Sequence, residues 1–83
     1  MTIDDLRREI DAIDDQLLSL FEQRMAVVNQ IAQYKKENSL PVQDTAREQE
    51  ILSRLSKKAP PELAECVKML FSSLFEMSRN YQK

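Results

Sequence analysis

Two cations interrupt the apolar face of a long amphipathic stretch, and their spacing defines the chemistry open to this chain. Ile3, Leu6, Ile10, Ile13, Leu17 and Leu20 recur in alternating steps of three and four, the spacing that lines one face of a helix. The next places on that seam fall to Arg24 and, past Val27 and Ile31, to Lys35. Eleven positions leave these two about 20° apart round a helix and about 16 Å apart along it. Long cationic side chains reaching towards each other from such positions can hold one small dianion between them. Arg7 lies about 25 Å from Arg24 and about 100° round the helix. It can meet the same ligand only if a two-fold partner supplies its own copy. The plainer alternative is that Arg24 pairs with a carboxylate while Arg7 and Lys35 carry their charges out to solvent.

The element that must position these cations is a first helix over about residues 3–38. A second apolar row, Leu18, Phe21, Met25, Val28 and Ala32, runs beside the first, which predicts a helix packed on more than one side. At about 1.5 Å per residue this rod is about 50 Å long, whereas a compact chain of 83 residues has a diameter near 30 Å. The rest of the chain is too short to cover it, so an intertwined homodimer is expected.

Thr2 or Asp4 is suited to cap this helix, and Asp4 and Asp5 suit the positive end of its dipole. Asn38, Ser39 and Pro41 close it, because the residue before a proline is driven out of the helical region. After a short loop, Thr45-Ala46-Arg47-Glu48 has the form of a capping box and opens a second helix over about 45–57, with Asp44 as the other candidate cap. Pro60-Pro61-Glu62 starts a third, over about 61–82, proline being tolerated in a first turn. Its apolar row is Leu63, Val67, Leu70, Leu74 and Met77. Cys66, Met25, Met69 and Met77 read as core filling.

Composition narrows the class. The sequence has no glycine, which argues against phosphate-cradling loops and tight hairpins, and Val, Ile and Thr never alternate as in strands. The fold expected is all-α, three helices in a single domain over 1–83. With 12 Lys+Arg against 14 Asp+Glu there is no general basic field for nucleic acid, so any anion site must be a local cluster. One cysteine and no histidine argue against zinc and against an intrachain disulfide. No apolar run approaches the about 20 residues of a membrane span, and the N-terminus lacks the apolar segment of a signal peptide. A cytoplasmic protein without a membrane partner is expected.

An ordered set of residues adds a resemblance. Leu6-Arg7-Arg8-Glu9-Ile10-Asp11-Ala12-Ile13-Asp14, the run Leu17 to Arg24, Lys35 eleven residues later, Pro41 to Glu48, and the pair Ser78 and Gln82 together resemble the all-helical class of chorismate mutase over nearly the whole chain. The resemblance implies rearrangement of chorismate to prephenate in aromatic amino acid biosynthesis, with no cofactor and no metal. It implies that Arg24, Arg47 and Arg7 lent by the partner subunit bind the two carboxylates. Lys35 and Gln82 are then the catalytic pair at the ether oxygen, Glu48 and the Asp44 region take the ring hydroxyl, and Ser78 contacts a carboxylate. Each residue also has a duller reading: Glu48 completes a capping box, Asp44 is an N-cap, Ser78 bonds back to its own helix, and Gln82 stands where helix ends fray. Two other functions stay open on the same residues. One is the related lyase that removes pyruvate from isochorismate; the other is a non-catalytic helical module that dimerises or regulates another shikimate-pathway enzyme.

Overall fold

The computed structural model describes residues 1–82, which form three α-helices and, among the described residues, no strand. The first helix, α1, runs Ile3–Glu37; α2 runs Thr45–Lys58; a 3-10 turn at Pro61–Leu63 leads into α3, Ala64–Gln82. None of the three is long and apolar enough to cross a membrane.

Local chemistry fixes the ends. Thr2 Oγ1 accepts the Asp5 amide at 3.1 Å and an Asp5 carboxylate oxygen accepts the Thr2 amide at 3.0 Å, a reciprocal capping box. Those hydrogen bonds from the Thr2 backbone and hydroxyl hold the Asp5 carboxyl below its usual pKa. At the other end of α1, Leu40 N donates to the Lys35 carbonyl at 2.8 Å and Ser39 N to that of Lys36 at 3.4 Å. This is the Schellman arrangement, and it places Ser39 at φ 54°, the left-handed position glycine usually takes. Helix α2 starts at Thr45 and takes one of the two caps the sequence offers it. Asp44, not Thr45, is the N-cap, its carboxylate accepting the Arg47 amide at 3.0 Å. The reason is that Asp44 keeps non-helical backbone, φ −123° and ψ 89°, while Thr45 is already in the helix, so only Asp44 can turn its side chain onto the free amides. Glu48 is thereby released from any capping role.

Helix α3 is the keystone, packing against both α1 and α2. Its inward face is Val67, Phe71, Leu74, Phe75, Ser78, Arg79 and Gln82, with Phe75 and Ser78 buried. The Phe71 and Phe75 rings tilt against each other at 6.4 Å between centroids. The sequence row is therefore rotated: Leu63, Leu70 and Met77 face outward. Cys66 and Met69 are likewise exposed rather than core, because the face of α3 that carries them has no neighbour within the chain.

The chain is elongated, 54 × 26 × 16 Å with a radius of gyration of 15.9 Å, against about 12 Å for a compact chain of this length. Along α1 only Val28 is buried. The chain does not cover the whole of this rod, as its length implied: the helices that follow close over only its C-terminal half.

Candidate active site

A cavity of about 340 Å³ opens between the C-terminal half of α1, the loop after it, α2 and α3. Its apolar wall is Val27, Val28, Ile31, Val42, Ile51 and Phe75. The polar lining is Arg24 and Lys35 from α1, Asp44, Arg47 and Glu48 from the start of α2, and Ser78, Arg79 and Gln82 from α3. Of the residues singled out in the sequence, all but Arg7 meet here.

Arg24 is a partly buried cation. Its Nη1 donates to Ser78 Oγ at 2.7 Å, and Ser78 Oγ in turn donates to the Leu74 carbonyl at 2.7 Å, so the hydroxyl proton points back along α3 and a lone pair faces the guanidinium. The guanidinium also lies 5.9 Å from the centre of the Phe75 ring, within reach of a cation–π contact. Burial pushes its pKa below the usual arginine value, although an arginine remains charged at any physiological pH. Among the described residues no carboxylate lies within salt-bridge distance of Arg24. The simple structural role for Arg24, a paired charge, does not hold; a neutral hydroxyl and an aromatic ring support it instead.

Lys35 does not reach out to solvent either. Its Nζ donates to the Val42 carbonyl at 2.6 Å. The Schellman turn, by folding Leu40 back onto the Lys35 carbonyl, is what brings the Val42 strand of loop over the ammonium group. An ammonium has three protons, and Val42 uses one of them.

Arg47 makes an exposed pair with Glu50 at 2.7 Å, the kind worth less than about 1 kcal/mol and easily exchanged for a ligand. Asp44 is spent on its cap. Glu48 accepts from Arg79 at 2.7 Å across the α2–α3 interface. The Gln82 side-chain oxygen is shielded from solvent with no hydrogen-bond partner among the described residues. Arg7 is exposed and 3.7 Å from Asp4, remote from the cavity.

Arg79 was not legible in the sequence. A base in the last turn of a helix suits the helix dipole and attracts no further question, and its true partner lies 31 residues earlier. Only the packing of α3 on α2 reveals the pair. Phe75 and Val28, the buried anchors of the wall, also stood out less than the longer stripe on the other half of α1.

Four cations against two carboxylates leave the cavity positively charged. The site lacks a group poised for nucleophilic attack: the one hydroxyl is engaged by Arg24 and Leu74, and no histidine exists to activate it. What the arrangement offers is recognition of a small organic dianion and donors aimed into an apolar-walled space.

Comparison with known proteins agrees with this reading. The chain is 32% identical over 53 residues to a protein named chorismate mutase from Methanocaldococcus jannaschii, an overlap covering 64% of this chain and 54% of that one. It is 41% identical over 44 residues to the T-protein of Haemophilus influenzae, covering 53% of this chain and 12% of the other. It is 35% identical over 51 residues to the bifunctional chorismate mutase/prephenate dehydratase of Aquifex aeolicus, covering 61% and 14%. The chain thus spans at most about half the length of these relatives. A solved structure of a conserved hypothetical protein from Pyrococcus furiosus superposes with a TM-score of 0.83 at 35% identity, over 100% of this chain and 97% of the other. The sequence profile described as Chorismate mutase type II matches residues 6–83, and the chain belongs to that family.

Proposed function

We propose that this protein is a chorismate mutase, converting chorismate to prephenate within aromatic amino acid biosynthesis and doing so as a homodimer. The observation that carries the proposal is the unpaired, partly buried charge of Arg24 facing Lys35 across an apolar-walled cavity, a place built for an anion the single chain does not supply.

The reaction is an intramolecular Claisen rearrangement. A C–O bond breaks while a C–C bond forms between the ends of the same molecule, and negative charge builds on the ether oxygen as it departs. No proton leaves or arrives and no covalent intermediate forms. A protein accelerates such a step by holding the flexible dianion in its compact form and by placing donors where the charge develops. Arg24 and Arg47, with Arg7 of the partner subunit, hold the two carboxylates, arginine being able to grip each in a fork. Ser78 orients Arg24, and its hydroxyl meets a carboxylate edge by turning its one proton from the Leu74 carbonyl to the substrate. Lys35 has two protons free of Val42 for the ether oxygen. Gln82 supplies a second donor once its amide turns, the two ends being interchangeable by rotation. Glu48, backed by the Asp44 turn, accepts from the ring hydroxyl.

The dimer is supported by the exposed stripe of α1. Ile10, Leu17 and Leu20 are each more than half exposed in the single chain, and a contiguous apolar face of this kind marks an interaction surface. Arg7 sits on that same N-terminal half, the half a two-fold mate would carry to the neighbouring cavity.

The test is direct. Purified protein mixed with chorismate should consume its absorbance and yield prephenate. Absence of turnover would leave a binding module, and release of pyruvate from isochorismate without reaction of chorismate would assign the lyase.

A further inference from the structure

Arg79 and Glu48 form an ion pair unlike the others among the described residues. The pairs of Arg7, Arg8, Arg47 and Lys68 each join residues three apart on one helix. Arg79 Nη1 and Glu48 Oε2 are 2.7 Å apart and join α3 to α2, with side chains only 29% and 20% exposed. Exposed local pairs contribute little, whereas a pair withdrawn from water fixes geometry strongly because breaking it strands a charge.

Both residues line the cavity. The contact engages Oε2 of Glu48, and Oε1 has no hydrogen-bond partner among the described residues. One oxygen is anchored and the other is left to accept from whatever occupies the cavity. Three residues within about one turn of α3 therefore set the polar wall: Ser78 holds Arg24 of α1, Arg79 holds Glu48 of α2, and Gln82 enters directly. The remaining charged groups facing Glu48 are Asp44 and Arg47 from its own end of α2 and Arg24 and Lys35 from α1. None of them is within salt-bridge distance of it, so among the described residues Arg79 is the cation that holds its carboxylate.

We propose that Arg79 is a positioning residue for substrate, acting through Glu48 to keep one carboxylate oxygen fixed and free to accept the hydrogen bond of the ring hydroxyl. The role rests on the proposed mutase reading, and it makes Arg79 a determinant of where on the ring that hydroxyl must stand. Arg79 itself need not touch the substrate. Without it Glu48 stays present but is free to turn to solvent or to the cavity's other cations, Arg24 and Arg47, and a misplaced contact is then lost from the bound geometry.

The experiment compares two substrates on the same protein: chorismate, and its analogue carrying hydrogen in place of the ring hydroxyl. Arg79→Met keeps the length and removes the charge. It should lower kcat/KM for chorismate by about tenfold, the scale of coupling between residues in direct contact, with most of the loss in KM. For the analogue the loss should be under about twofold, because the group that Glu48 serves is gone. Arg79→Lys should recover most of the chorismate activity. Any fall in the folded fraction scales both substrates alike, so the ratio is insensitive to it. Equal losses on both substrates, with the parent active, would overturn the positioning role and leave the mutase reading standing. A parent that rearranges neither substrate would defeat the mutase reading and the role with it.

Discussion

The two halves of α1 share one apolar stripe and have opposite surroundings. From Ile3 to Leu20 every residue except Asp5 is exposed, although the apolar stripe is at its most regular there. From Arg24 to Lys35 the stripe is broken by two cations, yet this is where Val28 is buried and where α3 and the loop close over the helix. Apolar periodicity thus says which face of a helix wants covering, and the remainder of the chain decides which part gets it. The C-terminal half of α1 belongs to a site that one chain nearly completes; the N-terminal half is an arm whose partner lies outside the chain.

The sharpest way to break that division is to damage each half separately and recombine them. Arg7→Ala, on the arm, and Arg24→Ala, in the cavity, should each be almost inactive, since each removes a carboxylate clamp from both sites of a dimer. Refolded together they should regain about a quarter of parental activity: half the dimers are mixed, and each mixed dimer has one intact site of two. Recovery no greater than the two single variants, with mixed dimers confirmed by mass, would return Arg7 to a purely local role.

Within the cavity half, Lys35→Ala should lower turnover by at least about a hundredfold, the scale of a lost donor to a developing oxyanion, or about 3 kcal/mol. Helicity and association should be unchanged. Normal turnover would exclude Lys35 from the mechanism.

On the arm, Leu17→Asp separates an exposed face from a shared one. Were the face truly free, the change would be worth within about 0.5 kcal/mol, as for most surface positions. Buried between two chains, an unpaired carboxylate costs several kcal/mol. The expected outcome is loss of the dimer by light scattering together with a lower unfolding temperature; a dimer of parental stability would refute the shared arm.

The smallest effect lies at the join between loop and cavity. Ser39→Gly should raise stability by about 0.5 kcal/mol, the left-handed strain relieved less the additional entropy glycine loses on folding. Denaturant titration of the two proteins reads it, and a lower midpoint for the glycine form would mean that Ser39 contributes something beyond its backbone angles.

Much of this organisation was legible beforehand, for identifiable reasons. Three helices followed from periodicity, from capping residues and from prolines that cannot sit in a helix interior, all of them local signals. The start of α2 offered two competent caps, Asp44 and Thr45, and the choice between them is made by backbone angles that no side-chain preference fixes. Cys66, Met69 and Met77 were expected in the core, and the structure leaves all three exposed. Their spacing was correctly apolar; what periodicity does not say is which apolar face the chain's own helices cover. The meeting of Arg24, Lys35, Arg47 and Glu48 round one cavity could be anticipated from a recognisable pattern of residues. The Arg79–Glu48 pair could not, because it depends on how α3 packs against α2, which neither charged residue announces in the sequence.

The support given to Arg24 by a hydroxyl and a ring, without a counter-charge, has a consequence for the life of the protein between turnovers. An unoccupied cavity with surplus positive charge repels itself, and an anion that enters relieves the repulsion only in the folded form. Occupancy and persistence of the fold are then thermodynamically linked: a ligand at a hundred times its dissociation constant adds about 2.7 kcal/mol to stability. For a chain this small, with a core this thin, that increment is a sizeable share of the total. The molecule's resistance to heat and proteolysis would rise and fall with the metabolite that fills it, so that scarcity of the ligand shortens the protein's own lifetime.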